Sequence, residues 1–204
     1  MSSRVYSCYG HYLLRIFRAM IDTVKKYLRR LIFRLRADHT TEDLISNGLV
    51  VGKDFLRMHG VILDPSHCWL ITIGDNVTLA PRVHVLCHDA STCKPLGFAR
   101  IGRVTIGNDV FVGAESVILP GVRIGNNVVI GANSTVTKDI PDNSVAVGSP
   151  AVVISSYNEF VNRNRRLMKS SPCYGEEFTL RKNIDYEKKQ QMRRELESGF
   201  GFVK

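Results

Sequence analysis

The sequence predicts an all-β solenoid, in which short parallel strands coil around a buried column of aliphatic side chains. Two observations predict it: aliphatic residues recur every six positions, and glycine followed by Asn or Asp often comes directly after them. The uninterrupted series is Ile106, Val112, Ile118, Ile124, Ile130 and Val136. A period of six fits neither an α-helix nor a long alternating strand, so each hexad is interpreted as one short strand and one corner.

The same period predicts where the coil begins. It extends upstream through Ile73, Leu79 and Val85, and then to Val61, with His67 as the one polar member. Three hexads make one triangular coil of about eighteen residues, and such coils are stable only when several of them stack. Glycine and Asn are expected at the corners because they tolerate positive φ.

A break in the period predicts a loop. Val85 and Ile106 are 21 residues apart, which is not a multiple of six, so residues 88–103 are expected to leave the coil. A loop anchored on a rigid scaffold is a common place for function, and His88 lies at its root. The chain is thereby divided into a helical cap at 1–48, the β-helix at 49–154 and a helical arm at 155–204.

The two ends of the chain have helical patterns. From residue 12 to residue 36, apolar residues at three-and-four spacing lie opposite a row of Lys and Arg, which predicts an amphipathic basic helix. This helix is expected to cover the open end of the solenoid, and the alternative is peripheral contact with an anionic membrane. Residues 157–170 and 184–198 are predicted to form short helices.

Composition narrows the classes of function. The 204 residues carry a formal charge of +9, which implies an anionic partner, but no nucleic-acid-binding motif is present and nucleic acid is not expected. Five cysteines without a C-x-x-C pair argue against a disulfide framework and a zinc ribbon, so we expect a reduced, cytoplasmic setting. Arg15 and Arg18 interrupt the apolar residues near the N-terminus, so neither a signal peptide nor a membrane span is expected.

The stretch TIGDNVTLAPRVHVLCHD, together with a later repeat array that closes on VTKDIP, resembles the maltose, galactoside and capsular-sugar O-acetyltransferases of the hexapeptide-repeat acyltransferase superfamily. The resemblance covers about residues 60–154. It implies that the coils wind left-handed into a left-handed parallel β-helix. It also implies a bacterial enzyme that moves an acetyl group from acetyl-CoA to a sugar hydroxyl, with no metal cofactor. A homotrimer is expected because a single prism leaves its flat faces and the coenzyme groove incomplete, and a three-fold cyclic arrangement closes both.

The resemblance also implies roles for particular residues. The family has a histidine at the start of this loop that takes the proton from the acceptor hydroxyl, and the matching residue is His88. A neutral imidazole suits that task because it titrates near physiological pH. The positions that match the family's coenzyme A contacts are Phe111, Ala114, Gly131, Ala132, Thr137 and Lys138.

One departure from the family concerns the acceptor. Gly60 lies where relatives commonly have Asn, so the acceptor contacts are assigned to His59, Asp64 and Asp89 instead. Asp64 and His88 are 24 residues apart. Counted as one coil plus one face, this spacing predicts that the two can meet only across a subunit boundary.

A second departure concerns the coenzyme. Val152 lies where relatives usually have Lys or Arg near the coenzyme phosphate. Lys138 and one of Arg163, Arg165 or Arg166 are therefore expected to hold the phosphates.

Two other constellations are weaker. His84 and His88 could suggest a metal site, but the sequence offers no third histidine in the right relation. Cys87 beside His88 could suggest a nucleophilic pair, but neighbouring side chains on a strand point to opposite faces. The rival functions are N-acetyl transfer to an amino-sugar nucleotide or an antibiotic, and a catalytically silent β-helix that serves as a binding module.

Overall fold

The computed structural model describes residues 39–204 together with Met20. The predicted helix at 12–36, with its capping or membrane-binding role, and most of the predicted cap at 1–48 lie outside the described residues. Within the described part of the chain, no helix combines the length and the apolar character needed to cross a membrane.

Three sheets, visited in rotation and parallel except for the last strand of the second, form the core of the described chain. A short helix, α1, spans Thr41–Ser46 and precedes them. The first sheet contains β1 (Val50–Val51), β4 (Ile71–Ile73), β9 (Val104–Ile106) and β12 (Arg123–Ile124). The second contains β2 (Leu56–Arg57), β5 (Thr78–Leu79), β10 (Val110–Val112), β13 (Val128–Ile130), β15 (Ser144–Gly148) and β16 (Ala151–Ser156). The third contains β3 (Ile62–Leu63), β6 (His84–Val85), β11 (Val117–Ile118) and β14 (Thr135–Val136).

The register between strands shows why the hexads repeat. Ile106 pairs with Ile124 in the first sheet, and Ile118 pairs with Val136 in the third, so each coil there has the eighteen residues that the period predicts. The side chains of the series point inward and are buried. Each strand inside a sheet is paired with the coil above it and the coil below it, and the aliphatic column fills the space between the three sheets.

The first coil is longer than the period predicts. Leu63 pairs with Val85, 22 positions later, because four extra residues and a 3₁₀ turn at Cys68–Leu70 lie between the two strands. The expectation that Val61 and His67 occupy the repeat position is therefore wrong, because the extra residues shift the repeat to Leu63. Val61 is buried, but Leu63 stacks in the column, and His67 precedes the 3₁₀ turn with a half-buried side chain.

The corners confirm one expectation and correct another. Asn76, Asp109, Asn127 and Asn143 occupy equivalent corners of successive coils, and all have φ between 53° and 56°. The glycines that follow the repeat position are required for a different reason. A Cβ on Gly107 would lie 2.7 Å from the carbonyl oxygen of Gly125 in the next coil, so close stacking rather than positive φ requires glycine there.

The segment after Val85 leaves the coil. Strand β7 (His88–Asp89) pairs antiparallel with β8 (Arg100–Ile101), and a 3₁₀ turn at Ala90–Thr92 and a short helix, α2 (Cys93–Leu96), lie between them. The backbone N–H of Gly102 donates to the carbonyl of Cys87 over 2.9 Å and closes the base of this loop. The loop accounts for the 33 residues that separate Ile73 from its partner Ile106.

The C-terminal segment begins where β16 turns back antiparallel on β15. Helix α3 (Tyr157–Met168) follows, and Ser156 and Glu159 form a capping box at its start. Then come β17 (Cys173–Tyr174), 3₁₀ turns at Glu176–Phe178 and Leu180–Lys182, helix α4 (Tyr186–Glu195) and β18 (Phe202–Val203). The two helices thus occupy most of the ranges 157–170 and 184–198.

Truncating a member of the aliphatic column should destabilise the protein much more than truncating an exposed isoleucine. Ile118 is fully buried, so Ile118→Ala should lower the free energy of unfolding by about 2–5 kcal/mol through lost burial and the cavity left behind. Ile45 is about half exposed, and Ile45→Ala is the matched control. Urea unfolding followed by circular dichroism measures both, and equal losses would contradict the register described above.

Candidate active site

Asp64 and His88 meet within one chain. Asp64 directly follows β3 and His88 begins β7, so both lie where strands of the third sheet end. The Nδ1 atom of His88 lies 2.6 Å from Oδ2 of Asp64. The expectation that they meet only across a subunit boundary is wrong. The first coil has 22 residues rather than eighteen, which moves Asp64 to the same corner as His88.

The Asp64 carboxylate is fully buried, and both of its oxygens have hydrogen-bond partners. Its Oδ2 accepts from the backbone N–H of Cys87 at 2.8 Å, and its Oδ1 accepts from the N–H of Ser66 at 3.1 Å. Burial opposes ionisation, but the hydrogen bonds from His88 and from the Cys87 and Ser66 N–H groups outweigh it, so the pKa of Asp64 lies below its ordinary value. Asp64 is therefore a buried anion at neutral pH.

The ionised carboxylate determines which nitrogen of His88 carries the proton. A carboxylate only accepts, so a neutral His88 donates its Nδ1–H to Asp64. The lone pair of Nε2 is then free to accept a proton. The His88 side chain is 35% exposed, so a molecule in solution can reach it. A general base that is held in one tautomer by a buried carboxylate would have this arrangement.

Cys87 does not have the properties of a nucleophile. Its side chain is fully buried, and burial together with the negative charge of Asp64 raises the pKa of its thiol to about 12. The reactive form of cysteine is the thiolate, which is therefore scarce at neutral pH.

Alkylation of the folded protein should distinguish buried from exposed cysteines. Iodoacetamide at pH 8 should label the exposed Cys93 and Cys173 and leave the buried Cys68 and Cys87 unmodified. Peptide mass spectrometry reads the labels, and the same protein alkylated in urea provides the fully labelled control. Rapid labelling of Cys87 in the folded protein would show that its thiol is neither buried nor of high pKa.

His67 and Trp69 adjoin the pair, and the sequence did not assign either to the site. The His67 ring centroid lies 5.2 Å from that of His88 and 5.4 Å from that of Trp69. The Nδ1 atom of His67 lies 3.9 Å from Oδ1 of Asp64, and it is buried without a hydrogen-bond partner among the described residues. One signal in the sequence could have found them. The inward residues Leu63 and Ile73 are ten positions apart, four more than one hexad allows, so the segment between them must be irregular.

The other two residues assigned to the acceptor, His59 and Asp89, make their hydrogen bonds outside the Asp64–His88 pair. His59 is exposed at the corner between the second and third sheets, where its carbonyl accepts from the N–H of Arg82. The Asp89 carboxylate accepts from the N–H of Ser91 at 2.9 Å and caps the 3₁₀ turn of the loop. Hydrogen bonds from Ser91 hold the pKa of Asp89 below its ordinary value.

The residues assigned to coenzyme A lie at two corners and on one sheet face. Ala114, Gly131 and Ala132 share the corner between the second and third sheets, where the carbonyl of Ala114 accepts from the N–H of Asn133. Phe111, in β10, is 45% exposed on the outer face of the second sheet. Thr137 follows β14 and, with Lys138, is exposed at the next corner.

The corner of Thr137 and Lys138 is the one that holds Asp64 and His88. Val85, Ile118 and Val136 stack in one column of the third sheet, so the residues after them stack too. Parallel strands are spaced about 4.8 Å apart, which places Lys138 about 10 Å along the solenoid from the coil that carries His88.

A basic cleft of about 310 Å³ lies on helix α3, lined by Asn162, Arg165, Arg166 and Lys169. One of three arginines was expected at the coenzyme phosphates, and two of these candidates, Arg165 and Arg166, line this cleft. The guanidinium of Arg163 lies instead 5.9 Å from the centroid of the Phe160 ring.

Comparison with known proteins identifies the family. The family described as bacterial transferase hexapeptide (six repeats) matches residues 103–138. Protein CapG of Staphylococcus aureus is 41% identical over 140 residues, which cover 65% of this chain and 81% of CapG. Galactoside O-acetyltransferase of Escherichia coli K12 is 46% identical over 115 residues, which cover 53% of this chain and 54% of that protein.

Among solved structures, a maltose O-acetyltransferase from Clostridium difficile 630 is 42% identical, with a TM-score of 0.48, over 53% of this chain and 59% of that one. The chain therefore spans about half the length of two of these relatives and most of the length of CapG. By its sequence this chain belongs to the hexapeptide-repeat acyltransferase superfamily.

Proposed function

We propose that this protein is an O-acetyltransferase that moves an acetyl group from acetyl-CoA to a sugar hydroxyl, with His88 as the general base. The observation that carries the proposal is the 2.6 Å hydrogen bond between His88 Nδ1 and the buried, ionised Asp64. A sugar hydroxyl is a weak nucleophile, so a base with a fixed tautomer is what the reaction requires. Asp64 acts through His88 and is a positioning residue.

The reaction is a direct transfer. Nε2 of His88 accepts the proton of the acceptor hydroxyl as that oxygen forms a bond to the thioester carbonyl carbon. The negative charge that develops on the carbonyl oxygen is stabilised by a backbone N–H of the coil. The tetrahedral intermediate then breaks its C–S bond, and the departing thiolate takes the proton from Nε2, so His88 ends the cycle neutral.

The high pKa of Cys87 supports transfer without an acyl-enzyme intermediate. Covalent catalysis by a cysteine would need a thiolate beside His88, and Cys87, its neighbour in the chain, is buried and protonated. Both substrates must then be bound together at the corner that holds the pair.

Acetyl-CoA is the donor. Its pantetheine lies in the groove between neighbouring subunits of the proposed trimer, against Ala114, Gly131, Ala132 and the outer face of Phe111, and its thioester reaches His88. Lys138 and the cleft of Arg165 and Arg166 bind the phosphates. These basic side chains replace the Lys or Arg that relatives have at the position of Val152. The position of Lys138 at the same corner as His88, two coils further on, supports this orientation.

The proposal includes a left-handed coil and a homotrimer. Leu96, Phe98 and Ile101 project from the loop with at least 62% of their surface exposed, and three copies around an axis would cover such side chains. Light scattering of the purified protein should give three times the chain mass of 22.9 kDa. An active monomer would overturn this part of the proposal.

The acceptor class is a carbohydrate hydroxyl, since the relatives that resemble this chain include a protein named galactoside O-acetyltransferase. Simple glycosides and nucleotide sugars, including amino sugars, should be incubated with the enzyme and acetyl-CoA. Mass spectrometry of the products should show an ester that mild base removes. An amide product would make the enzyme an N-acetyltransferase, and no thiol release with any acceptor would favour a binding module.

Replacing His88 should abolish transfer while preserving binding of the coenzyme. His88→Ala should lower kcat by roughly 10²–10⁴-fold, the usual contribution of a positioned general base. The affinity for acetyl-CoA should persist, because the imidazole contacts the reacting oxygen. Thiol release measures the rate, and isothermal titration with coenzyme A measures the affinity.

The matched control is His39→Ala, which removes an exposed imidazole outside the site and should leave kcat unchanged. A His88→Ala enzyme that turns over a sugar acceptor at the parent rate would remove His88 from the mechanism.

Neutralising Lys138 should affect the coenzyme rather than the chemistry. Lys138→Ala should mainly raise the KM for acetyl-CoA, as expected for a group that binds a non-reacting part of the substrate. Lys182→Ala, which removes an exposed lysine from the C-terminal segment, is the control. Initial rates against acetyl-CoA concentration measure both constants, and an unaltered KM in Lys138→Ala would exclude contact with the phosphates.

A further inference from the structure

Three side chains at the corner of the Asp64–His88 pair form a cluster of possible metal ligands. Asp64, His67 and His88 each place one possible metal-ligand atom within 4.8 Å of the other two. We propose that these residues form a three-ligand site for a zinc-class divalent ion, and that an ion bound there stops acetyl transfer. Only the second half of this proposal rests on the proposed role of His88.

The donor set has the chemistry of a zinc site. Two imidazoles and one carboxylate are ligands that Zn²⁺ binds with an open fourth position, and Zn²⁺ is bound by nitrogen and oxygen at about 2.0–2.2 Å. Ligand atoms around a tetrahedral ion of that size lie about 3.4 Å apart. The distances here, 2.6 Å from His88 Nδ1 to Asp64 Oδ2 and 3.9 Å from His67 Nδ1 to Asp64 Oδ1, lie on either side of that value.

His67 supplies an independent observation. Its Nδ1 is buried, faces the Asp64 carboxylate and has no hydrogen-bond partner among the described residues. A buried polar nitrogen without a partner is costly and calls for an explanation. A bound ion would give this nitrogen a partner and would neutralise the buried carboxylate charge.

The two imidazoles of the proposed site are accessible from solvent. The side chains of His67 and His88 are 29% and 35% exposed, whereas Asp64 is buried beneath them. The carboxylate therefore lies at the buried side of the site, and the two imidazoles lie nearer to solvent. The open side, where solvent would complete the coordination, is the side from which an acceptor reaches His88.

Metal binding and catalysis exclude each other at His88. An ion on Nδ1 displaces the ring proton, which moves through solvent to Nε2, and the ring remains neutral. Nε2–H is then a donor and cannot accept the proton of an incoming hydroxyl. The same ion removes the carboxylate hydrogen bond that holds the catalytic tautomer, so occupancy should act as an off switch.

The single tryptophan provides a readout that does not depend on activity. Trp69 is the one Trp of the chain, and its ring centroid lies 5.4 Å from that of His67. Co²⁺, a paramagnetic analogue of Zn²⁺, should quench Trp69 fluorescence when it binds at this distance. Untagged full-length protein should show saturable quenching by Co²⁺ that Zn²⁺ reverses and Mg²⁺, which prefers oxygen ligands, does not.

Variants locate the ion. His67→Ala should weaken Co²⁺ binding by at least about tenfold, since losing a ligand should cost at least as much as losing one of its outer partners. His59→Ala, which removes an exposed histidine from another corner, is the matched control and should bind Co²⁺ as the parent does. Circular dichroism confirms that each variant is folded.

Three outcomes decide the proposal. Saturable quenching that His67→Ala weakens and His59→Ala does not would support the site. Absence of saturable quenching, or quenching unchanged in His67→Ala, would overturn it whatever the enzyme catalyses.

Inhibition is tested by dividing each protein's rate with Zn²⁺ by its own rate with EDTA. The parent should lose most of its rate, and His67→Ala should need at least about ten times more Zn²⁺ for the same loss. Binding at the site without loss of rate would overturn the off switch and the role of His88 as base, but not the metal site.

Discussion

The site depends on one buried negative charge. Asp64 has no exposed surface, and it stays ionised because Cys87 and Ser66 donate backbone N–H groups and His88 donates its ring N–H. Removing a carboxylate from water is costly, and only this complete set of donors makes it tolerable. The charge, bonded to Nδ1 of His88, fixes both the orientation and the tautomer of that ring.

The backbone donors to Asp64 come from the coil itself. The N–H of Asp64 donates to Val85, and the N–H of Cys87 donates to the Asp64 side chain, so the same stacking that pairs the coils also positions the carboxylate. The loop of residues 88–103 begins one residue later, on a base closed by Gly102 and Cys87. His88, the proposed base and the first residue of that loop, therefore lies at a corner that the coil holds in place.

Much of the scaffold and the importance of His88 and Asp64 could be predicted from the sequence, but the contact between these two residues within one chain could not. The hexads at Ile106 to Val136 predict inward positions, because a narrow prism admits only aliphatic side chains there, and Asn or Asp marks corners of positive φ. The Asp64–His88 contact was missed because the count assumed eighteen residues in every coil. The 3₁₀ turn at Cys68–Leu70 lengthens that coil by four residues and has no repeat signal of its own. The same segment places the rings of His67 and Trp69 beside His88, so an irregular part of the coil supplies side chains next to the Asp64–His88 pair.

The tautomer of His88 is the quantity on which the account depends most directly. Protein labelled with ¹⁵N-histidine, with the His88 signal assigned by its loss in His88→Ala, reports by NMR which ring nitrogen carries the proton. We predict that neutral His88 is protonated at Nδ1 and unprotonated at Nε2, and that Asp64→Asn abolishes this preference. A parent protein whose neutral His88 carries its proton on Nε2 would contradict the account, because that nitrogen could not then act as the base.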